Sequence, residues 1–358
     1  MPKLLFILLC WSALLPLTVN AEEPVFQPRI IGGIESEGGE LPWQAYINMT
    51  FRDDSGTERT FICGGVVVRQ DVVITAAHCM RNGGTTVLPE DVMVWGGITS
   101  IFNASRSTSI AVSRVILHPA YNSSRFANDI AILHLRDPLP EGAIPIAIAS
   151  EAEQDRVDNE FANGWVDNAE RVANLLVSGW GSTSVSESNS GSTRLRQTLL
   201  SGVPDSRCDQ LWGSNINVLD YPIYLCAGSV SPELARDSCF GDSGGPLVWQ
   251  DPQALADSDF GLRLVGLVSF GEGCAGRLPG VYTETATYRD WIEQNVGALP
   301  QQTATYTADP FLSDYSGAGE GEGVIVFPDG WNNDDSGGLM GWLSLLVLGG
   351  LARLRRRH

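Results

Sequence analysis

Three short motifs carry residues that could together perform nucleophilic chemistry. Gly241-Asp242-Ser243-Gly244-Gly245-Pro246 sets one serine among glycines, on a turn where backbone N–H groups can face an oxyanion outside the chain. A serine hydroxyl is a weak nucleophile alone; it needs a general base within hydrogen-bond reach and a third group to orient that base. Thr75-Ala76-Ala77-His78-Cys79 offers a histidine, and Asn128-Asp129-Ile130-Ala131-Ile132-Leu133 offers a carboxylate. A histidine between alanine and cysteine is, taken alone, ordinarily structural. The glycines and proline around Ser243 have no packing rationale, and the three motifs together supply the nucleophile, base and orienting carboxylate that nucleophilic catalysis at a serine requires. His118, before Pro119, and His134, in an apolar strand-like run, have no partner motif and read as structural or surface residues.

Such side chains need a scaffold to hold them. With 358 residues, 43% of them hydrophobic, the chain is long enough for a large core in one or two domains. Short β-branched runs such as Gly65-Val66-Val67-Val68, Asp71-Val72-Val73-Ile74 and Leu264-Val265-Gly266-Leu267-Val268, separated by Gly, Asn and Ser turns, predict an all-β protein. Helix signals are rare; the best spans 287–296, with Thr287 as N-cap and Gly297 as the stop. The formal net charge of −19 argues against nucleic acid as a partner. Lys3 is the only lysine, so a mature enzyme would expose arginines but no lysines to self-cleavage.

Residues 1–21 combine Lys3, an apolar run over 4–17 and the small-residue end Val19-Asn20-Ala21, the pattern of a secretory signal peptide rather than a membrane span. Its removal takes Cys10 and leaves six cysteines, Cys63, Cys79, Cys208, Cys226, Cys239 and Cys274, in an oxidising compartment. Six cysteines allow about 15 pairings, among which the residues alone do not choose. No zinc-type Cys/His spacing occurs, and neither a metal nor a cofactor is expected.

Together these motifs resemble the trypsin-like serine proteases of the chymotrypsin fold, over roughly residues 30–296. The resemblance implies two six-stranded antiparallel β-barrels packed face to face, a C-terminal helix and an active site in the cleft between the barrels. It implies Ser243 as nucleophile, His78 as general base and acid, Asp129 as the group orienting the imidazole, and an oxyanion hole from the N–H groups of Gly241 and Ser243. Arg29-Ile30-Ile31-Gly32-Gly33 resembles the family's activation site: another protease would cut after Arg29, and the freed Ile30 ammonium would pair with Asp242. The implied disulfides are Cys63 with Cys79, Cys208 with Cys226, and Cys239 with Cys274. An aspartate in a Gly/Cys-rich loop is ordinarily just solvated, but Asp237 stands six residues before Ser243, in register with the base of the family's primary pocket. Ser238 beside it, Gly271 and Gly280 as open walls, and the edge Ser269-Phe270-Gly271 complete a site suited to Arg or Lys before the scissile bond.

Departures from the family pattern lie away from the chemistry. Segment 150–176, with seven acidic residues (Glu151, Glu153, Asp155, Asp158, Glu160, Asp167, Glu170), reads as an acidic surface elaboration of the connection between the barrels. Segments 184–193 and 249–260 read as extended loops. The organisation expected is a signal peptide over 1–21, a pro-segment over 22–29, a peptidase domain over 30–299, a flexible linker over 300–336 and a terminal segment over 337–358. That last segment joins Gly337-Gly338 to an apolar run over 339–352 and to Arg353-Leu354-Arg355-Arg356-Arg357. The order resembles the GlyGly-type sorting signals of Gram-negative bacteria, whose carriers leave by type II secretion and are trimmed by a rhomboid-like membrane protease; a simple tail anchor is the alternative. The expected partners are protein or peptide substrates, the activating protease and the tail-processing protease, with transient membrane association through the tail and an extracellular or surface-bound product. The competing reading is a protease-fold binding protein without catalysis, which the intact set of three motifs disfavours.

Overall fold

The structure, a computed structural model, describes residues 33–52, 56–167, 169, 171–182, 191–228, 236–274, 277–299 and 305–316. The leader, the pro-segment with Arg29 and Ile30, most of the 184–193 loop and the terminal segment lie outside the described residues.

Six strands close the first barrel: Gln44–Arg52, Glu58–Arg69, Val72–Thr75, Ala131–Leu135, Ile110–Leu117 and Val92–Gly96, in that order around the ring. Several read as continuous apolar runs because both faces are buried. Val67, Val73 and Leu133 fill the barrel interior, while their chain neighbours Val66, Ile74 and Ile132 point the opposite way into a cluster shared with Trp43, Trp180 and Leu264.

The second barrel closes through a single stretch of chain. Its ladder runs through Arg196–Leu200, Leu175–Gly179, Pro246–Gln250, Leu262–Phe270, Gly280–Glu284, Tyr224–Ala227 and Gly202–Val203. Only Ser201 separates the first of these segments from the last, so chain 196–203 borders both ends of the sheet and makes the ring six-membered. Leu175, Val177, Leu247, Val265 and Tyr282 fill it. The barrels meet closely at Gly64, where a Cβ would lie 2.8 Å from the Cα of Gly245.

Helical structure departs from the sequence expectation in three places. The terminal helix α3 spans Arg289–Val296, entered through a 3₁₀ turn Ala286–Tyr288. Thr287 is not its cap: the hydroxyl donates to Glu284 Oε1 at 2.6 Å, because the chain turns tightly off the strand ending there. Gly297 ends the helix as expected, at φ 82°. The acidic segment is not a surface elaboration alone. Its residues Glu151–Gly164 form helix α1, started by a reciprocal capping box between Ser150 and Glu153 and pinned by buried Val157 and Phe161. A further helix α2, Asp205–Trp212, follows the end of chain 196–203 and carries Cys208.

Two loop expectations also change. Trp249 and Gln250 belong to a strand, and the loop beyond them is tied down by Asp251, bonded by Arg156, and by buried Asp259, which accepts from Arg263 Nη1 at 2.9 Å. Within the expected linker, residues 305–316 lie against the catalytic body. Tyr306 is buried, stacks edge-on to Trp43 at 5.0 Å and donates to Pro145 O at 2.9 Å. Gln250 donates to Asp309, and Ser313 donates to Glu40. Apolar Tyr306, Phe311 and Tyr315 supply the burial that a Gly/Ser-rich linker lacks. Among the described residues no helix is long and apolar enough to cross a membrane.

Candidate active site

Strand pairing brings the histidine and the carboxylate together. Thr75 pairs with Ala131 in the first barrel, so the turn Ala77–Met80 after one strand and Asp129 before the other emerge at the same end. His78 Nδ1 lies 2.7 Å from Asp129 Oδ2, and the His78 backbone N–H donates to Asp129 Oδ1 at 2.8 Å. Asp129 is fully buried. Its Oδ2 also accepts from Ser269 Oγ at 2.6 Å, and its carbonyl from Thr283 Oγ1 at 3.0 Å. The carboxylate thus holds the Nδ1–H tautomer and leaves Nε2 free of that pair. Burial by itself would lower the His78 pKa, but the charge and hydrogen bond of Asp129 outweigh it, and the net shift is upward.

The backbone before Asp129 is strained to make this fit. Phe126 and Asn128 sit at φ 54° and 56°, a left-handed conformation that costs a bulky residue about 1–3 kcal/mol and persists only where the surroundings enforce it. Asn128 is held by Tyr288, which donates to its Oδ1 at 3.1 Å, and by its own donation to Ala120 O at 3.0 Å. The Phe126 ring packs edge-on to His78 at 5.5 Å.

Ser243 arrives from the second barrel on the turn entering strand Pro246–Gln250. Gly64 N donates to Ser243 O at 2.9 Å, which ties the serine to the first barrel. Cys79 Sγ lies 3.6 Å from the same carbonyl, and the sulfurs of Cys63 and Cys79 lie within 4.8 Å of a His78 ring nitrogen, so serine and histidine share one neighbourhood. Those sulfurs are joined in a disulfide and offer no thiolate to a metal. Gly241 and Gly244 take φ 101° and 74°. At Gly244 any Cβ would collide with Thr75 Oγ1 at 2.0 Å, so the turn around the serine admits no side chain there.

Asp242 points the other way, into a fully buried slot. Its Oδ1 accepts from Gly181 N at 2.7 Å and its Oδ2 from Cys239 N at 2.8 Å. A Cβ at Gly179 or Gly181 would meet this carboxyl at 2.1 or 2.6 Å, which explains the glycines that flank it. Burial pushes the Asp242 pKa up to about 7 despite the two N–H donors. A cation delivered into the slot would relieve this cost.

The residues expected to shape a substrate pocket are assembled as well. Asp237 is buried, and its Oδ1 lies 3.2 Å from where a Cβ at Gly280 would stand. Gly280 Cα in turn lies 4.0 Å from the corresponding point at Gly271. Ser238 Oγ lies 3.3 Å from Tyr282 OH, and the Tyr282 phenol is held well above its usual pKa by burial and then by the charge of Asp237. All three disulfides take the pairing expected from the resemblance. Sequence reasoning missed that the Ser269 hydroxyl serves Asp129, and it missed Phe126, Thr283 and Tyr282 altogether. No motif marks the last three, since their roles come from strands distant in the chain.

Comparison with known proteins agrees with this geometry. Residues 30–292 match the family described as Trypsin. The chain is 30% identical to the vitellin-degrading protease of Bombyx mori over 82% of its own length and 95% of that protein. It is 32% identical to melanization protease 1 of Drosophila melanogaster, over 80% of this chain and 70% of that one. It is 33% identical to trypsin-1 of Astacus astacus, over 74% of this chain and 99% of that one.

Proposed function

The chain belongs to the trypsin family and is a trypsin-like serine endopeptidase, and from that premise we propose that it is a secreted zymogen that, once activated, cleaves after Arg or Lys. Ser243 attacks the scissile carbonyl while His78 takes its proton and later returns it to the leaving amine. Asp129 fixes the imidazole and stabilises the imidazolium, and the N–H groups of Gly241 and Ser243 receive the oxyanion. The observation that carries this reading is the 2.7 Å contact of His78 Nδ1 with a fully buried Asp129.

Activation rests on the slot around Asp242. Cleavage after Arg29 would free the Ile30 ammonium, whose charge suits a buried carboxyl that is otherwise held near neutrality. The basic preference rests on Asp237 at the base of a glycine-walled pocket, where a carboxylate compensates the desolvation of a substrate cation. The tail reading rests on residues 337–357 of the sequence: a membrane protease trims the segment after export through the periplasm, and the product is released or held at the surface. The relatives named above come from animals and bear on the peptidase domain.

A panel of peptides differing at the residue before the scissile bond tests the specificity. The activated wild type should prefer Arg and Lys, and Asp237→Ser should lose about 30-fold to several thousand-fold on them while changing little on Phe or Leu. A wild type that prefers Phe or Ala overturns the pocket assignment. Mass spectrometry of both termini of the secreted protein tests activation and tail trimming, with Ile30 expected as the first residue.

A further inference from the structure

Four hydroxyls from the second barrel and the 3₁₀ turn behind it converge on residues 125–129. Thr283 Oγ1 donates to Asp129 O and Ser269 Oγ to Asp129 Oδ2. Tyr224 OH donates to Arg125 O at 3.0 Å, and Tyr288 OH donates to Asn128 Oδ1 at 3.1 Å. Strand geometry explains much of this convergence. Tyr224 and Thr283 are direct partners in the ladder, so their side chains leave the sheet on one face. Ser269 falls where the register shifts between Val268 and Phe270, and that irregularity re-aims its side chain towards Asp129. Ser269 and Thr283 bond the carboxylate residue itself, whereas the two tyrosines bond the chain that leads into it.

We propose that Tyr224 and Tyr288 are positioning residues for the triad, which keep Asp129 in register with His78 by clamping the strained backbone before it. The proposal rests on the assignment of Asp129, His78 and Ser243 to catalysis. Asp129 stands at the apex of a three-residue turn, with Ile130 N donating to Asn128 O at 2.9 Å. The residues leading into that turn, Phe126 and Asn128, hold φ 54° and 56°. Phenylalanine avoids this conformation and asparagine holds it at some cost, so without outside ties the segment would relax and swing the carboxylate. The ties sit at both ends, Tyr224 on the carbonyl of residue 125 and Tyr288 on the side chain of residue 128. Both tyrosines are buried. The Tyr224 ring packs edge-on to Phe270 at 5.4 Å, and the His118 ring stands edge-on to Tyr288 at 5.2 Å and to Trp291 at 4.9 Å, so neither phenol can turn away. Burial and then nearby negative groups, Asp129 among them, hold both phenols above their ordinary pKa, as they do for Tyr121. All three therefore stay neutral donors while His78 titrates, with Arg81 beside Tyr121 and Arg125 beside Tyr224 as the neighbouring cations. Burial lowers the His78 pKa and Asp129 more than restores it, so a carboxylate out of register would let that pKa fall.

The test compares activated Tyr224→Phe, Tyr288→Phe and the double variant with the wild type on a peptide that the wild type cleaves. Each lost hydroxyl should lower kcat about 10-fold and the pair up to about 100-fold, with KM within about twofold because the rings remain. The acid limb of kcat/KM against pH should move to lower pH as the His78 pKa falls. Asn128→Ala and Asn128→Gly both remove the acceptor of Tyr288, but only glycine takes a positive φ without strain. Alanine should therefore lose about as much as Tyr288→Phe, and glycine much less. Full kcat in the double tyrosine variant overturns the clamp, as do equal losses from Asn128→Ala and Asn128→Gly. A reduced kcat with an unmoved acid limb also overturns it, because a general loss of structure would leave the His78 titration in place. Asp129→Asn tests the reading beneath: it should lose on the order of 10⁴-fold in kcat, as in another triad protease. Near-normal turnover by that variant overturns the triad assignment itself, whereas its collapse beside fully active tyrosine variants overturns the clamp alone.

Discussion

At the scale of single residues, the site is a set of charges and donors that the two barrels hold in contact. Asp129 accepts from His78 at two atoms and from Ser269 at a third contact, so its carboxylate is compensated by donors rather than by a cation. Replacing Ser243 by Ala should lower kcat on the order of 10⁶-fold, as in another triad protease, with folding intact by circular dichroism. Near-normal turnover by purified, activated Ser243→Ala would refute the nucleophile. Asp242 makes a pH prediction for the uncleaved chain. Its folded pKa, about 7, lies above the carboxylate value expected when unfolded, so between roughly pH 4 and 7 the native state binds the extra proton and stability falls as pH rises, by at most about 1.4 kcal/mol per pH unit. Asp242→Asn should flatten that slope in urea titrations. Cleavage after Arg29 should flatten it too if an ammonium enters the slot; a cleaved protein that keeps the full slope would argue against the pairing.

At the scale of elements, α1 shows how a segment rich in acids can still be built into the core. The capping box supplies acceptors for backbone N–H groups at its start, and Val157 and Phe161, one turn apart, face inward. Gly202 has no side chain because the Phe161 ring occupies that space; a Cβ there would lie 2.1 Å from the ring. Phe161→Ala should therefore cost roughly 3–5 kcal/mol, read as a lowered urea midpoint, while activity per folded molecule is kept. Three carboxyls also gather where α1, α2 and the end of strand Gly280–Glu284 meet. Glu284 is pushed up to about 7 by burial and then by Asp158 and Asp205, and Asp205 to about 6 by burial and then by Asp158. Both shifts are upward, so the cluster destabilises the fold progressively from about pH 4 to 7, the same sign as Asp242. Glu284→Gln should raise stability at pH 8 and change little at pH 4; equal effects at both would show that the lost contact with Thr287, not charge, dominates.

At the scale of the whole molecule, the two barrels are joined by more than the cleft. The cluster of Trp43, Tyr46, Trp180 and Leu264 spans both, and Tyr306 from the C-terminal stretch closes over it. Truncation after Ser316 keeps the contacts of 305–316 and sets the reference melting temperature. Truncation after Gly297 removes Tyr306, Phe311 and Tyr315 and should cost several kcal/mol, on the order of one or two large core side chains. Equal melting temperatures for the two truncations would return 305–316 to the status of linker.

The sequence alone marked the candidate reacting groups, the six cysteines and the all-β class, because each has a local signature: glycines around one serine, an Ala-Ala-His-Cys run, short β-branched strands between turns. It also marked Gly297 as a helix stop, since a left-handed end there needs only one residue type. It did not reveal α1, whose acidic surface masks a two-residue apolar stripe, although the Ser150 and Glu153 spacing was a readable start signal. Nor could it show that Ser269 bonds Asp129 across 140 residues, that Phe126 is bent into a strained backbone to meet His78, or that Tyr306 packs on Trp43. Those are non-local contacts, fixed only when both barrels close and their surfaces meet. Tertiary structure decided them because burial of large side chains and of paired charges outweighs the local preferences that a sequence displays.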